Sequence, residues 1–171
     1  MPASPVPERE LSEPWPEPVE RVAAVLRAAA VDARIEQFEQ GTPTARDAAR
    51  AVGCELAQIV KSIVFVCDGA FVLALVPGDR RANEQAVPAA VGANLVPPAN
   101  ANAVVHATGF EPGGVAPFPQ RAVTAALIDG SLLAHHVVWI GAGTAAHMAA
   151  MPPADLARLA GARTFDLTAP G

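Results

Sequence analysis

Apolar positions recur along this chain with two spacings, and the switches between them mark out its elements. Val22, Val25, Leu26 and Ala29 fall on one helical face, which predicts a helix over residues 19–30. Arg34-Ile35-Glu36-Gln37-Phe38 alternates as a short strand. Gly41-Thr42-Pro43-Thr44 forms a turn, with Thr44 as N-cap of a helix over residues 45–52 that Gly53 stops. Two apolar strands, 60–67 and 71–76, flank the hairpin signal Asp68-Gly69-Ala70. A helix is predicted from near Asn83 to Gly92, with Pro88 inside it, and Asn100 or Asn102 caps a short helix ending at Thr108-Gly109. Residues 110–119 are too rich in Gly and Pro for regular structure. Then follow a strand over 123–128, a turn at Asp129-Gly130, one helical turn over 131–135, and strands over 136–140 and 145–151. A helix over 153–160 begins on Pro153 and stops at Gly161, and Arg163-Thr164-Phe165 closes as a strand. Hairpins mixed with isolated helices, without strict βαβ repetition, predict an α+β fold on a mixed, curled, barrel-like sheet flanked by helices.

Composition narrows the class. Residues 1–18 hold six prolines and four glutamates, and predict a mobile lead-in to a domain over 19–171. At 171 residues the chain suits one domain with a single core. Half the residues are apolar, yet no run approaches the ~20 needed to span a bilayer. The N-terminus lacks the basic and apolar regions of a secretory signal, which predicts a cytoplasmic protein without membrane contact. Cys54 and Cys67 have no metal-ligand spacing and read as reduced, small hydrophobes. A net charge of −5 excludes a general nucleic-acid coat, which needs clustered cations. It permits recognition of a short RNA end.

Against that background Lys61 stands out as the only lysine, all other cations being arginine. It lies inside the apolar run 58–67, where a charge costs free energy unless something polar meets it. One reading is a lysine snorkelling at a strand end. The other is a compact ammonium, which arginine cannot replace, pointing into a ligand cavity. His135 and His136 project oppositely if extended, and His106 lies on a predicted helix, so no metal site is supported.

The V-K-S strand, the stretch Thr108-Gly109-Phe110-Glu111-Pro112-Gly113-Gly114-Val115-Ala116-Pro117-Phe118, the turn Gly141-Ala142-Gly143-Thr144 and the following P-x-D-L-x-x-L-x-G-A helix occur in one order. Together they resemble the YbaK/ProX family of aminoacyl-tRNA deacylases, domains also inserted in bacterial prolyl-tRNA synthetases. The resemblance runs from about Val19 to Asp166, and G-x-x-x-P at Gly113–Pro117 is its most specific piece. It implies a hydrolase that removes a wrong amino acid from tRNA in trans, without a cofactor, with the aminoacyl-tRNA 3′ end as substrate and prolyl-tRNA synthetase as a partner. Lys61 would then position the ester or the terminal adenosine phosphate, and the backbone of Gly113 and Gly114 would offer N–H donors that a side chain would block. Val115 and Phe118 would belong to the same substrate-binding loop, with Pro117 stiffening its exit. Gly141 and Gly143 would let backbone approach the amino acid or ribose. His147 would shape the amino-acid pocket, and Thr42 and Thr44 would overhang it, although capping alone explains Thr44. Ser62, facing the other side of the strand from Lys61, would support the site or serve structure only.

Two departures bear on the substrate. The arginine-bearing A-G-R-R-G stretch of cysteine-editing members is replaced by 141–146, and the loop ends in Phe118-Pro119 rather than P-x-G. Both lean away from cysteine toward alanine, serine or threonine on tRNA(Pro), leaving cysteine open. A non-catalytic module binding tRNA or synthetase, and a small-molecule esterase or amidase, are the rival readings.

Overall fold

The computed structural model describes residues 15–39, 41–42, 44–94 and 97–169. Among the described residues five α-helices and seven strands follow in this order: α1 Glu17–Ala28, β1 Arg34–Gln37, α2 Ala45–Val52, β2 Val60–Cys67, β3 Ala70–Pro77, α3 Ala86–Val91, α4 Ala101–Thr108, β4 Val123–Asp129, β5 Val138–Gly141, β6 His147–Met151, α5 Pro153–Ala160 and β7 Ala162–Phe165. Local chemistry explains most boundaries. Thr44 caps α2 by accepting the Asp47 N–H, and Gly53 ends it in the left-handed conformation. Asn100 caps α4 in the same way, with Gly109 at its end. α3 is shorter than its pattern suggests. The Asn83 side chain is spent on the Gln85 N–H, and Pro88 is tolerated because it sits in the first turn, where no N–H is needed.

The expected barrel-like sheet is not formed. The strands divide into two open sheets, one ordered β1-β6-β5 and the other β2-β3-β4-β7. The larger is mixed, with β2 antiparallel to β3, and β4 parallel to both β3 and β7. Between the sheets, the approach to β2 meets β5 through an isolated bridge, Ile59 to Trp139, beside a bond from Gln58 Nε2 to the Val137 carbonyl. Period-two alternation reveals which face of a strand is buried but not which edges will pair, so closure was not readable.

Three apolar clusters stack the layers. One face of the large sheet (Leu73, Leu75, Ile128) packs on α1 through Val19, Val22 and Leu26, and on Val138, Ile140, Ala149 and Met151 of the small sheet. Its other face (Val72, Ala74, Val76, Leu127) covers Val87 of α3 and Leu167. The far side of the small sheet, through Trp139, Met148 and Ala150, receives Ala48 and Ala49 of α2. Residues 1–14 of the expected lead-in lie outside the described residues. Trp15, also assigned to the lead-in, packs against the main core, and α1 begins two residues before the expected start. Among the described residues no helix is long and apolar enough to cross a membrane.

The end of β4 is pinned by one buried acid. Asp129, 2% exposed, accepts the Leu167 N–H at 2.8 Å and the Ser131 N–H at 3.2 Å, and also bonds the Ser131 hydroxyl. Removing the carboxylate strands the buried Leu167 amide. Asp129→Ala is therefore expected to lower unfolding free energy by about 2–4 kcal/mol in urea titrations, with Ser131→Ala costing less.

Candidate active site

A cavity of about 220 Å³ opens where α2 begins, where β2 begins, and where the 113–117 loop meets the turn between β5 and β6. Eight residues expected at a site line it: Thr42, Thr44, Lys61, Ser62, Gly113, Val115, Gly141 and His147. Gly114, Pro117, Phe118 and Gly143 are not among its lining residues. The sequence reading missed Thr144 and Met148, and also the wall formed by Ala45, Ala48, Ile59 and Val60. A polar residue three positions before His147 was the only available signal for Thr144; the apolar wall gave none.

The loop is built on a tight turn. Gly114 donates its N–H to the Glu111 carbonyl at 3.0 Å, with Pro112 second and Gly113 third at φ +90°. That is the geometry of a type II turn, which needs glycine at its third position. The Gly114 N–H is thereby used inside the loop, while the Gly113 N–H has no partner among the described residues. Gly114 acts instead through close packing, since a Cβ there would stand 2.6 Å from Thr144 Cα. A Cβ on Gly141 would fall 2.5 Å from the Val115 carbonyl oxygen, and one on Gly143 would fall 2.6 Å from the Pro18 carbonyl oxygen. These glycines bring loop, turn and α1 into backbone contact with one another. Phe118 belongs to the core behind the loop.

Lys61 pairs with Val76 across the hairpin and shares a strand face with Ile63 and Phe65 of the second cluster. From there its ammonium donates to the Arg80 carbonyl in the loop after β3; Lys61 lines the cavity and Arg80 does not. Burial pushes its pKa below the usual lysine value; Asp79 opposes that shift and Arg81 reinforces it. Ser62 lies on the opposite face, with Val60 and Val64, and its hydroxyl is buried without a partner among the described residues. Thr44 has its hydroxyl engaged with the Asp47 amide and carboxylate, so it serves as a cap. Thr42 donates to the Ala145 carbonyl at 3.3 Å.

His147 is 4% exposed. Its Nδ1 lies 2.6 Å from the Thr144 hydroxyl, and its Nε2 has no partner among the described residues. Trp15 meets the ring edge-on, with centroids 5.8 Å apart and planes at 89°. Among the described residues no group of three or more His, Cys, Asp or Glu could hold a metal ion.

Residues 39–159, which carry every lining residue of this cavity, match the aminoacyl-tRNA editing domain. The chain belongs to that family. This editing domain is 35% identical over 85 residues to the proline–tRNA ligase of Lactobacillus gasseri, covering 50% of this chain and 15% of that enzyme. It is 35% identical over 101 residues to that of Desulforamulus reducens, covering 56% and 18%. The matched segments thus span less than a fifth of those curated relatives. Among solved structures it resembles a "putative trans-editing enzyme for prolyl tRNA synthetase", with a TM-score of 0.84 and 32% identity over 91% of this chain and 99% of the other. A hypothetical protein gives a TM-score of 0.79 and 27% identity over 87% and 99%.

Two consequences of this editing domain's site are measurable. Gly141 does not have a positive φ, so Gly141→Ala isolates the close approach to Val115. It is expected to destabilise by about 1–3 kcal/mol and to raise amide exchange in the 113–117 loop. Burial holds the His147 imidazole below its ordinary value near 6.5, so the unfolded chain binds its proton first as pH falls. The resulting stability is complete above about pH 6.5 and declines toward the lower folded value as the solution is acidified. Melting curves from neutral to about pH 5 should therefore show a loss in the wild type that His147→Gln lacks.

Proposed function

We propose that this editing domain is a cytoplasmic, trans-acting aminoacyl-tRNA deacylase that clears tRNA(Pro) of a small, wrongly attached amino acid. Prolyl-tRNA synthetase would be the enzyme whose errors it corrects. The observation that carries this reading is one cavity shared by Lys61, the Gly113–Val115 loop and His147. Relatives within proline–tRNA ligases and the trans-editing neighbour support the choice of tRNA.

Hydrolysis of an aminoacyl ester needs the carbonyl held against donors while a water, or a hydroxyl of the terminal ribose, attacks in line. Gly113 lines the cavity with an N–H that has no partner among the described residues, suited to oxygen charge developing on the ester. Lys61 would supply the positive charge at the rim. There it would attract phosphate or carbonyl oxygen, exchanging its Arg80 carbonyl for substrate. Small residues on the inner wall, Ala45 and Ala48 beside Gly141, limit the side chain that can enter. A difference of one methylene is worth about 1–3 kcal/mol, so steric exclusion of proline would be partial by itself.

Purified protein should hydrolyse one or more of Ala-, Ser-, Thr- and Cys-tRNA(Pro) while sparing Pro-tRNA(Pro). Lys61→Ala is expected to slow the reaction by about 10²-fold or more. Lys61→Arg should not restore it, because a planar guanidinium cannot reproduce a compact ammonium. Binding of charged tRNA without any turnover would favour a non-catalytic module and retire the deacylase reading.

A further inference from the structure

The loop after β3 carries two cations that the fold itself does not use. Arg80 and Arg81 are exposed, and neither guanidinium has a hydrogen bond or ion pair among the described residues. Arg21, Arg27, Arg34 and Arg158, by contrast, each meet a carboxylate. Arg46, Arg50 and Arg121 are exposed and unpaired as well among the described residues. What sets the Arg80–Arg81 pair apart is its attachment to the cavity wall.

That attachment runs through main chain. Gly78 donates its N–H to the Ile59 carbonyl at 2.7 Å, and a Cβ on it would stand 3.0 Å from the Ala45 Cβ and 3.2 Å from that of Ile59. Ala45 and Ile59 both line the cavity. Arg80 donates its N–H to the Pro77 carbonyl at 3.2 Å, and its own carbonyl accepts from the Lys61 ammonium. The Arg81 carbonyl accepts the Ala169 N–H at 3.0 Å, beside the bridge from Ala82 to Thr168. The backbone is thus fixed by the cavity wall, by Lys61 and by the C-terminal segment, while both guanidinium-bearing side chains are exposed. A loop held in this way has little left to order when an anion arrives. Locally, three cations (Lys61, Arg80 and Arg81) face one acid, Asp79, in a chain whose net charge is −5.

Charge also selects the side on which a polynucleotide can leave the cavity. The 113–117 loop is preceded by an exposed acid, Glu111, which repels phosphate. On the α2 side, Ala45 touches Gly78 and is followed by the unpaired Arg46. We infer that the RNA strand whose acylated 3′ end enters the cavity passes over the 79–81 loop, where Arg80 and Arg81 pair with phosphates of the nucleotides preceding the last one. This rests on the deacylase reading. Guanidinium groups fork their donors onto phosphate oxygens without reading bases, so the contact adds affinity for any acylated RNA end and leaves the choice among tRNAs to other contacts.

Binding of uncharged tRNA(Pro) between about 50 and 200 mM salt, and hydrolysis of two substrates, test the inference with the full chain. One substrate is whichever charged tRNA(Pro) the wild type cleaves. The other is the same amino acid esterified to adenosine, which keeps the ester and has no phosphate. The double variant Arg80→Ala, Arg81→Ala should bind tRNA about tenfold more weakly, and its slope of log Kd against log salt should shrink by about 1.4, near 0.7 for each single-strand phosphate released. Its kcat/KM on charged tRNA should drop about as far, through KM, while cleavage of the aminoacyl-adenosine stays within about twofold of wild type. Arg80→Lys with Arg81→Lys should keep most of the binding, since lysine serves phosphate as a point charge. Arg163→Ala, on β7 at the opposite edge of the large sheet from β2, should change none of these values. Unaltered affinity and slope in the alanine double variant would overturn the inference and leave the deacylase reading intact. Equal losses on both substrates would also overturn it, by placing the effect at the ester. A wild type that cleaves neither substrate would remove the deacylase reading and this inference with it.

Discussion

Backbone meets backbone at Gly114, Gly141 and Gly143, and the position of everything around the cavity follows from that contact. Each of these residues faces main-chain atoms at distances where a Cβ would collide. The 113–117 loop can therefore lie against the turn after β5, and that turn can lie against the start of α1. Because β6 pairs with both β1 and β5, the same contact fixes where His147 begins its strand and where Thr144 reaches its ring. A side chain at any of the three positions would push the walls apart by roughly the width of the group added, in an interior that tolerates little change of volume.

Electrostatics then distinguishes the groups that line the cavity. Lys61 is partly desolvated but keeps a carbonyl partner at Arg80 and an opposing charge at Asp79, neither of which lines the cavity. Such a cation is available to an incoming anion, since its partner is a neutral carbonyl. Among the cavity's other lining groups are an imidazole whose charged form burial disfavours, a serine hydroxyl, and apolar side chains of α2, β2 and β6. A charged nucleotide and a small uncharged side chain would thus meet different surroundings a short distance apart. The overall charge of −5 says little about this, because the site depends on a few placed groups.

Much of the element order was legible because its causes are local. The Thr44 cap and Gly53 stop bound α2 where expected, Asn100 and Gly109 did the same for α4, and Asp68-Gly69 closed the β2–β3 hairpin. Strand parity correctly put Lys61 and Ser62 on opposite faces. Less was legible where the outcome depended on remote neighbours. Gly143 was expected to approach a ligand, yet its close contact is with Pro18, some 125 positions away in the chain. Trp15 looked like an isolated apolar residue in a proline-rich segment, and it packs on His147.

The sequence by itself determined most of the elements, the caps of α2 and α4, the family, and the singular lysine at a strand start, because each is written in neighbouring residues or in a fixed spacing. Only the tertiary structure decided that the strands form two open sheets, and that the Gly114 N–H is consumed within its own turn. It alone showed that Ser62 and His147 line one cavity while each buries a polar atom with no partner among the described residues. Sheet closure and hydrogen-bond satisfaction depend on which distant edges and atoms meet, and a one-dimensional pattern specifies the face a residue presents without naming its partner.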